Sequence, residues 1–161
     1  MALEMKKEAV ENDINEIEIM EFTIDGDLFG IRVEQVREIM MPSSVREIPL
    51  SHPAVEGVFK PRDTVITVIN LPRYLNLEEE NNSERNLFIV TDFKGRLSAF
   101  RVHTVVGIDR ITEEALQKPD KTIYGGGEGV VVGLAQCENR LLTILDFEKI
   151  VAEISVDTDT L

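Results

Sequence analysis

The sequence predicts a mainly β protein built as a pair of similar small β-barrels. Three observations carry this expectation. Short apolar runs alternate with turn signals along most of the chain, at least two of those turns have tight-hairpin chemistry, and the whole pattern occurs twice.

In chain order, Ile17 to Ile24 is strand-like, and "DGD" at Asp25 to Asp27 supplies the positive-φ residues of a two-residue hairpin turn. The return strand covers Leu28 to Arg32. Val33, Val36, Ile39 and Met40 in "VEQVREIM" then fall at helical spacing, which predicts a short helix closed by Pro42. Val45 to Ile48 reads as a short strand and "PLSHPAVE" as a loop. Val55 to Phe59 and Thr64 to Ile69 form a strand pair around Lys60-Pro61-Arg62-Asp63, and "LPRYLN" is a helical turn with proline near its start.

"NLEEENNSER", Asn76 to Arg85, is polar throughout and breaks the pattern. Beyond it, "NLFIVTDF" and "RLSAFRV" alternate around Lys94-Gly95, a second hairpin. "ITEEALQKP" predicts a short helix with Thr112 as N-cap and Pro119 as its stop. "VVVGLAQ" and "RLLTIL" are strands on either side of Cys137-Glu138-Asn139. "DFEKIVAEI" is a terminal amphipathic helix capped by Asp146.

The restart is a duplication. "LFGIRVEQVREI" (Leu28–Ile39) laid over "LSAFRVHTVVGI" (Leu97–Ile108) matches Leu, Arg, Val, Val and Ile without a gap. "GVFKPRDTVITVINL" (Gly57–Leu71) over "GLAQCENRLLTILDF" (Gly133–Phe147) puts Gly57 on Gly133 and Thr67 on Thr143. Each half is then a hairpin, a connector, a second strand pair and a helical turn. The expected organisation is a loose acidic leader over 1–16, a domain over 17–154 made of intertwined subdomains at roughly 17–76 and 86–150, and a tail over 155–161. Units this small bury little alone, and the seam they share is a natural place for a binding groove.

Composition narrows the function. Among 161 residues, 43% are hydrophobic and 29% charged, ordinary values for a globular chain. The net charge of −13 opposes binding to nucleic acid and to anionic membranes. One cysteine excludes an internal disulfide. The N-terminus lacks the apolar core of a signal peptide, and no apolar run approaches the roughly 20 residues of a transmembrane helix. The expected setting is cytoplasmic, without direct membrane insertion.

A search for chemistry returns little. His52 and His103 lack a second ligand at metal spacing and read as surface or rim residues. Cys137 has no basic neighbour to activate it. The many carboxylates, including Glu16, Glu18 and Glu21, read as solvated faces. "YGGGEG", Tyr124 to Gly129, lacks the Lys-Ser/Thr of a phosphate loop and reads as a connector. No catalytic constellation, metal or cofactor follows, and the expectation is a protein that works by binding other proteins.

"VREI" after a hairpin, then "VEGV", "PRD" and "TVINL", then "GL…RLLTILDFEKI", resembles the CheW-like chemotaxis coupling family from about Ile17 to Ile150. The resemblance implies two five-stranded, SH3-like β-barrels without catalytic activity. It also implies partners: the regulatory domain of the histidine kinase CheA, and the cytoplasmic tips of methyl-accepting chemoreceptors. Carried over by position, Glu38 and Arg62 match polar positions linked to coupling. Val33, Val36, Gly57 and Val58 match positions at or near the receptor groove, and Val105, the repeat partner of Val36, would line its other side. Where the family commonly has "GVINLRG", this chain has Lys60, Pro61 and Asp63 and keeps Arg62, so partner preference is expected to differ. "SHPAVEG" and "DFEKI" also resemble the adaptor half of CheV proteins, in which a phosphorylatable receiver domain follows. Free-standing coupler and CheV-type adaptor both fit. A small carboxylate-dependent hydrolase would instead need Glu38 or another acid in a deep closed pocket, and an SH3-like nucleic-acid binder would need a basic face.

Overall fold

Turn chemistry sets the two central hairpins. In the computed structural model, which describes residues 15–49, 51–79, 86–119 and 129–159, β1 (Glu16–Ile24) returns as β2 (Asp27–Arg32) through Asp25 and Gly26 at φ 53° and 81°. β6 (Leu87–Phe93) returns as β7 (Arg96–Val102) through Lys94 and Gly95 at 56° and 83°. Both turns have two consecutive left-handed residues, whose twist matches that of the strands they join.

Each hairpin is followed by a third strand, β3 (Glu38–Met40) or β8 (Thr104–Thr112), and then by a second pair. The pairs are β4 (Val55–Phe59) with β5 (Ile66–Asn70), and β9 (Val131–Cys137) with β10 (Arg140–Leu145). Short polar side chains start the helices that follow. Asn70 accepts from the Arg73 amide at the head of α1 (Leu71–Tyr74), and its repeat partner Asp146 accepts from the Glu148 and Lys149 amides at the head of α2 (Phe147–Asp159).

The halves exchange strands. One five-stranded sheet, barrel I, runs β8-β1-β2-β10-β9, and the other, barrel II, runs β3-β6-β7-β5-β4. Each therefore takes its central hairpin from one half and its other three strands from the other half. The boundaries 17–76 and 86–150 thus delimit the duplicated sequence but not the sheets. The register repeats with the duplication: Glu38 faces Val90 as Gly107 faces Glu21, and Thr67 faces Ser98 as Thr143 faces Phe29. Bridges at matched positions, Arg46 to Val58 and Gln117 to Leu134, draw each sheet toward closure. Exchange lets two units that bury little alone share one interior.

That interior lies between the sheets and under α2. Met20, Phe22 and Ile24 reach it from one face of β1, where they meet Phe29, Phe100 and Phe147. Phe100 stacks on Phe147 with centroids 4.0 Å apart, and Phe22 lies 5.9 Å from both Phe29 and Phe147. Each barrel has a smaller interior of its own, Ile19, Leu28, Ile111, Ala135, Leu142 and Ile144 in barrel I, and Phe59, Ile66, Val68, Phe88, Val90 and Ala99 in barrel II.

Four expectations require correction. The helix over Val33 to Met40 shrinks to one 3-10 turn at Val33–Gln35. Val36 is already extended, the Arg37 amide donates to the Val90 carbonyl, and β3 follows. Sheet pairing wins there over helical spacing, helped by β-branched side chains that favour strands. The helix after Ile111 is likewise one 3-10 turn at Glu113–Ala115, and the Thr112 side chain makes no cap bond because β8 still runs through it. Val45 to Ile48 is a single bridge rather than a strand. α2 continues to Asp159, through most of the expected tail, carried by the buried Ile150, Val151 and Ile154 along one face. The leader and the glycine-rich connector fall mostly outside the described residues, as does the later part of the polar linker.

Candidate functional site: an apolar ledge over the shared interior

Three of the expected groove residues pack against one interior, at separate points along its edge. Val33, Val36 and Val105 are partly buried, and all pack against the interior between the sheets. Val105 is held by the β8–β1 ladder, where it faces Phe22. Val33 and Val36 flank the 3-10 turn whose Gln35 is fastened to the head of α2. Its side chain donates to Asp146 Oδ1 at 3.0 Å and accepts from the Phe147 amide at 3.2 Å. The ledge is thus tied to the sheets on one side and to a helix on the other. Ile39 and Ile108, matched in the duplication, are exposed on the third strands of the two halves.

Glu38 is exposed on β3, where it faces Val90. Period two puts it on the side of Met40, toward barrel II's interior rather than the shared one. Val58 is half-buried and exchanges both backbone hydrogen bonds with Arg46, each at 2.8 Å. Gly57 is buried at φ 149°, and a Cβ there would stand 2.0 Å from the Arg46 carbonyl oxygen. Its place in the pattern is explained by that close approach. Arg62 is exposed at the β4–β5 tip, at φ 65°, and among the described residues it makes no hydrogen bond or ion pair. All three valines thus edge the shared interior, Val33 and Val36 beyond the Ile19–Arg32 pair and Val105 across from Phe22, while Glu38 and Arg62 lie apart on barrel II and Gly57 is a backbone requirement.

Both histidines have structural work. His52 Nδ1 accepts from the Ala54 amide. His103 is 3% exposed, against the expectation of a rim residue, and its Nδ1 accepts from the Asp25 amide at 2.9 Å, joining the two central hairpins. One grouping escaped the sequence reading. Glu21, Asp109 and Cys137 come within 4.8 Å of one another at the mouth of barrel I. Burial, then the charge of Asp109, raises the Glu21 carboxyl above its ordinary range, and burial, then Glu21, raises the Cys137 thiol. The duplication was the available signal, because it sets Glu21 opposite the wholly buried Val90. Among the described residues no helix is long and apolar enough to cross a membrane.

Apolar side chains left half-exposed on a rigid interior are the chemistry of protein docking, which places this molecule among scaffolding proteins rather than enzymes. The chain belongs to the CheW-like family: the CheW-like domain model matches residues 18–155. It is 30% identical over 143 residues to chemotaxis protein CheW of Thermotoga maritima, covering 89% of this chain and 93% of that protein. It is 26% identical to chemotaxis protein CheV3 of Helicobacter pylori, covering 96% of this chain but 53% of that protein. The crystal structure of the scaffolding protein TtCheW from Thermoanaerobacter tengcongensis matches with a TM-score of 0.74 at 22% identity, over 81% of this chain and 84% of that one, a likeness of fold. Family membership makes the chain a non-catalytic chemotaxis adaptor.

Proposed function

We propose that this chain couples methyl-accepting chemoreceptors to the histidine kinase CheA and helps build their array. The observation that carries the reading is that Val33, Val36 and Val105 stay only partly buried where they pack against the shared interior. Such side chains offer an apolar, rigid surface to a receptor's helical hairpin, and polar groups fix its register. Arg62 stands free at a stiff hairpin tip, in the position that the family resemblance links to coupling. The barrel ends face the kinase's regulatory domain, and heterologous contacts of that kind close into rings where the rotation permits. The protein works in the cytoplasm and reaches the membrane through its partners.

The test is co-sedimentation with a receptor-tip fragment and a kinase regulatory domain, each alone and then together. Arg62→Glu keeps the backbone, since a glutamate already occupies the matched left-handed position at Glu138, and is expected to weaken assembly with the fold unchanged. Normal assembly and kinase activation by that variant would remove Arg62 from the mechanism. Failure of the unmodified protein to bind either partner would remove the coupling role.

A further inference from the structure

The two barrels are filled differently. At matched positions barrel II holds Phe59, Val90 and Met40 where barrel I holds Ala135, Glu21 and Asp109. In barrel II these side chains form or abut a continuous apolar interior. In barrel I the matched positions line an open cleft of about 580 Å³ between β8 and the end of β9, at one end of an interior that Ile19, Leu142 and Ile144 still fill. The fold does not require an opening there, because its own other copy is closed by Phe59, Val90 and Met40.

The lining has two characters. Leu28, Ile111 and Ala135 supply apolar walls, and Glu21, Asp109 and Glu138 bring three carboxylates to the same opening. The Cys137 thiol hydrogen-bonds the Glu21 carboxyl, but Oε2 is shielded from solvent with no partner of its own, which is costly for a carboxylate oxygen. The cations at the rim are engaged elsewhere. Arg140 Nη2 donates to the Gly26 carbonyl at 2.7 Å, and Arg110 Nη1 lies 3.9 Å from Glu16. Burial and the charges of Asp109 and Glu138 disfavour ionised Glu21, and the Cys137 hydrogen bond and then the charge of Arg140 offset part of that. An apolar-walled cleft whose three carboxylates outnumber its two arginines, Arg110 and Arg140, matches an alkyl stem with a cationic head.

We infer that the mouth of barrel I is a socket for a lysine or arginine side chain presented by a partner protein. That the cation arrives on a protein rests on the adaptor reading; the chemistry of the socket does not. Charge complementarity at the entrance would speed and orient docking, and the apolar walls would hold the stem.

The full chain, labelled with 15N, is titrated with n-butylguanidinium chloride, with sodium chloride at equal ionic strength as the control. Saturable amide shifts at Glu21, Asp109 and Cys137 with the organic cation alone are expected. Both Glu21→Gln and Ala135→Phe should abolish them; the second restores the aromatic that barrel II carries at Phe59, so either variant suffices if the other misfolds. The same variants should lower affinity for the receptor-tip fragment or the kinase regulatory domain about tenfold. Absence of saturable shifts overturns the proposal, as does unchanged affinity for both partners. Shifts produced by zinc and not by butylguanidinium would assign Glu21, Asp109 and Cys137 to a metal and equally overturn it. If the unmodified chain binds neither partner, the adaptor role fails, while the butylguanidinium titration still decides the socket.

Discussion

Arg62 and Glu138 occupy the same place in the two barrels, each at the tip of the hairpin that follows the connector, at φ 65° and 54°. The backbone has been kept through the duplication while the charge has been inverted. A few residues earlier the relation is reversed. Gly57 and Gly133 are the same residue at matched positions, but the first lies against the Arg46 carbonyl while the second has Leu116 at an ordinary 3.4 Å. What is alike in sequence is thus not alike in constraint. Position in the barrel, rather than residue type, decides which glycine is needed and which hairpin side chain is free to serve a partner.

The sharpest way to break this comparison is to add the same methyl group twice. Gly57→Ala is expected to cost about 3–5 kcal/mol, because the new Cβ would have to displace backbone at a left-handed position. Gly133→Ala is expected to stay within about 1 kcal/mol. Urea unfolding of the pair measures both, and equal costs would mean that the Arg46–Val58 bridge is not the difference between the barrels.

A smaller effect separates the barrel interiors. Burial and the charge of Asp109 hold the Glu21 carboxyl above its ordinary 4.5 in the fold, so the folded state binds its proton more tightly than the unfolded chain does. Its contribution is favourable below the unfolded value and is lost as pH rises through the higher folded one. Glu21→Gln should therefore be the more stable protein at neutral pH, by an amount that solvent screening keeps small, and the advantage should vanish toward about pH 4. A stability difference that does not change with pH would contradict this. No such term is available at Val90 in barrel II.

The smallest effect isolates the hairpin tips. Arg62→Gly and Glu138→Gly should each stabilise by about 0.5–1 kcal/mol, because glycine accepts the left-handed conformation freely. Thermal unfolding should thus treat them alike. Kinase and receptor binding should not: a larger loss is expected for Arg62→Gly than for Glu138→Gly, which removes only one of three carboxylates at the barrel I mouth, and equal loss for both would show that hairpin geometry, not the guanidinium, carries the contact.

Much of this was legible beforehand, and the misses share a cause. Asp25-Gly26 and Lys94-Gly95 announce their turns because left-handed φ needs particular residues at particular places. Asp146 announces its helix because a cap bond spans two or three residues. "VEQVREIM" misled because its helical spacing is a local signal, and the Val90 carbonyl that claims the Arg37 amide lies far along the chain. His103 misled in the same way, since its partner is the Asp25 amide. Among the site residues, the valines were legible as apolar and matched, whereas nothing local distinguishes Glu21 from the solvated Glu18.

By itself, then, the sequence determined the elements, the duplication and the family, because turns, caps and apolar alternation are settled within a few residues. Tertiary structure alone decided that each hairpin would join the other half's strands. It also decided that one barrel would be packed to its mouth and the other left open there. Those outcomes depend on which distant backbone pairs with which, and a hairpin's edges carry the same unpaired donors and acceptors whichever partner takes them. The choice falls to the shared interior that Phe22, Phe29, Phe100 and Phe147 build together.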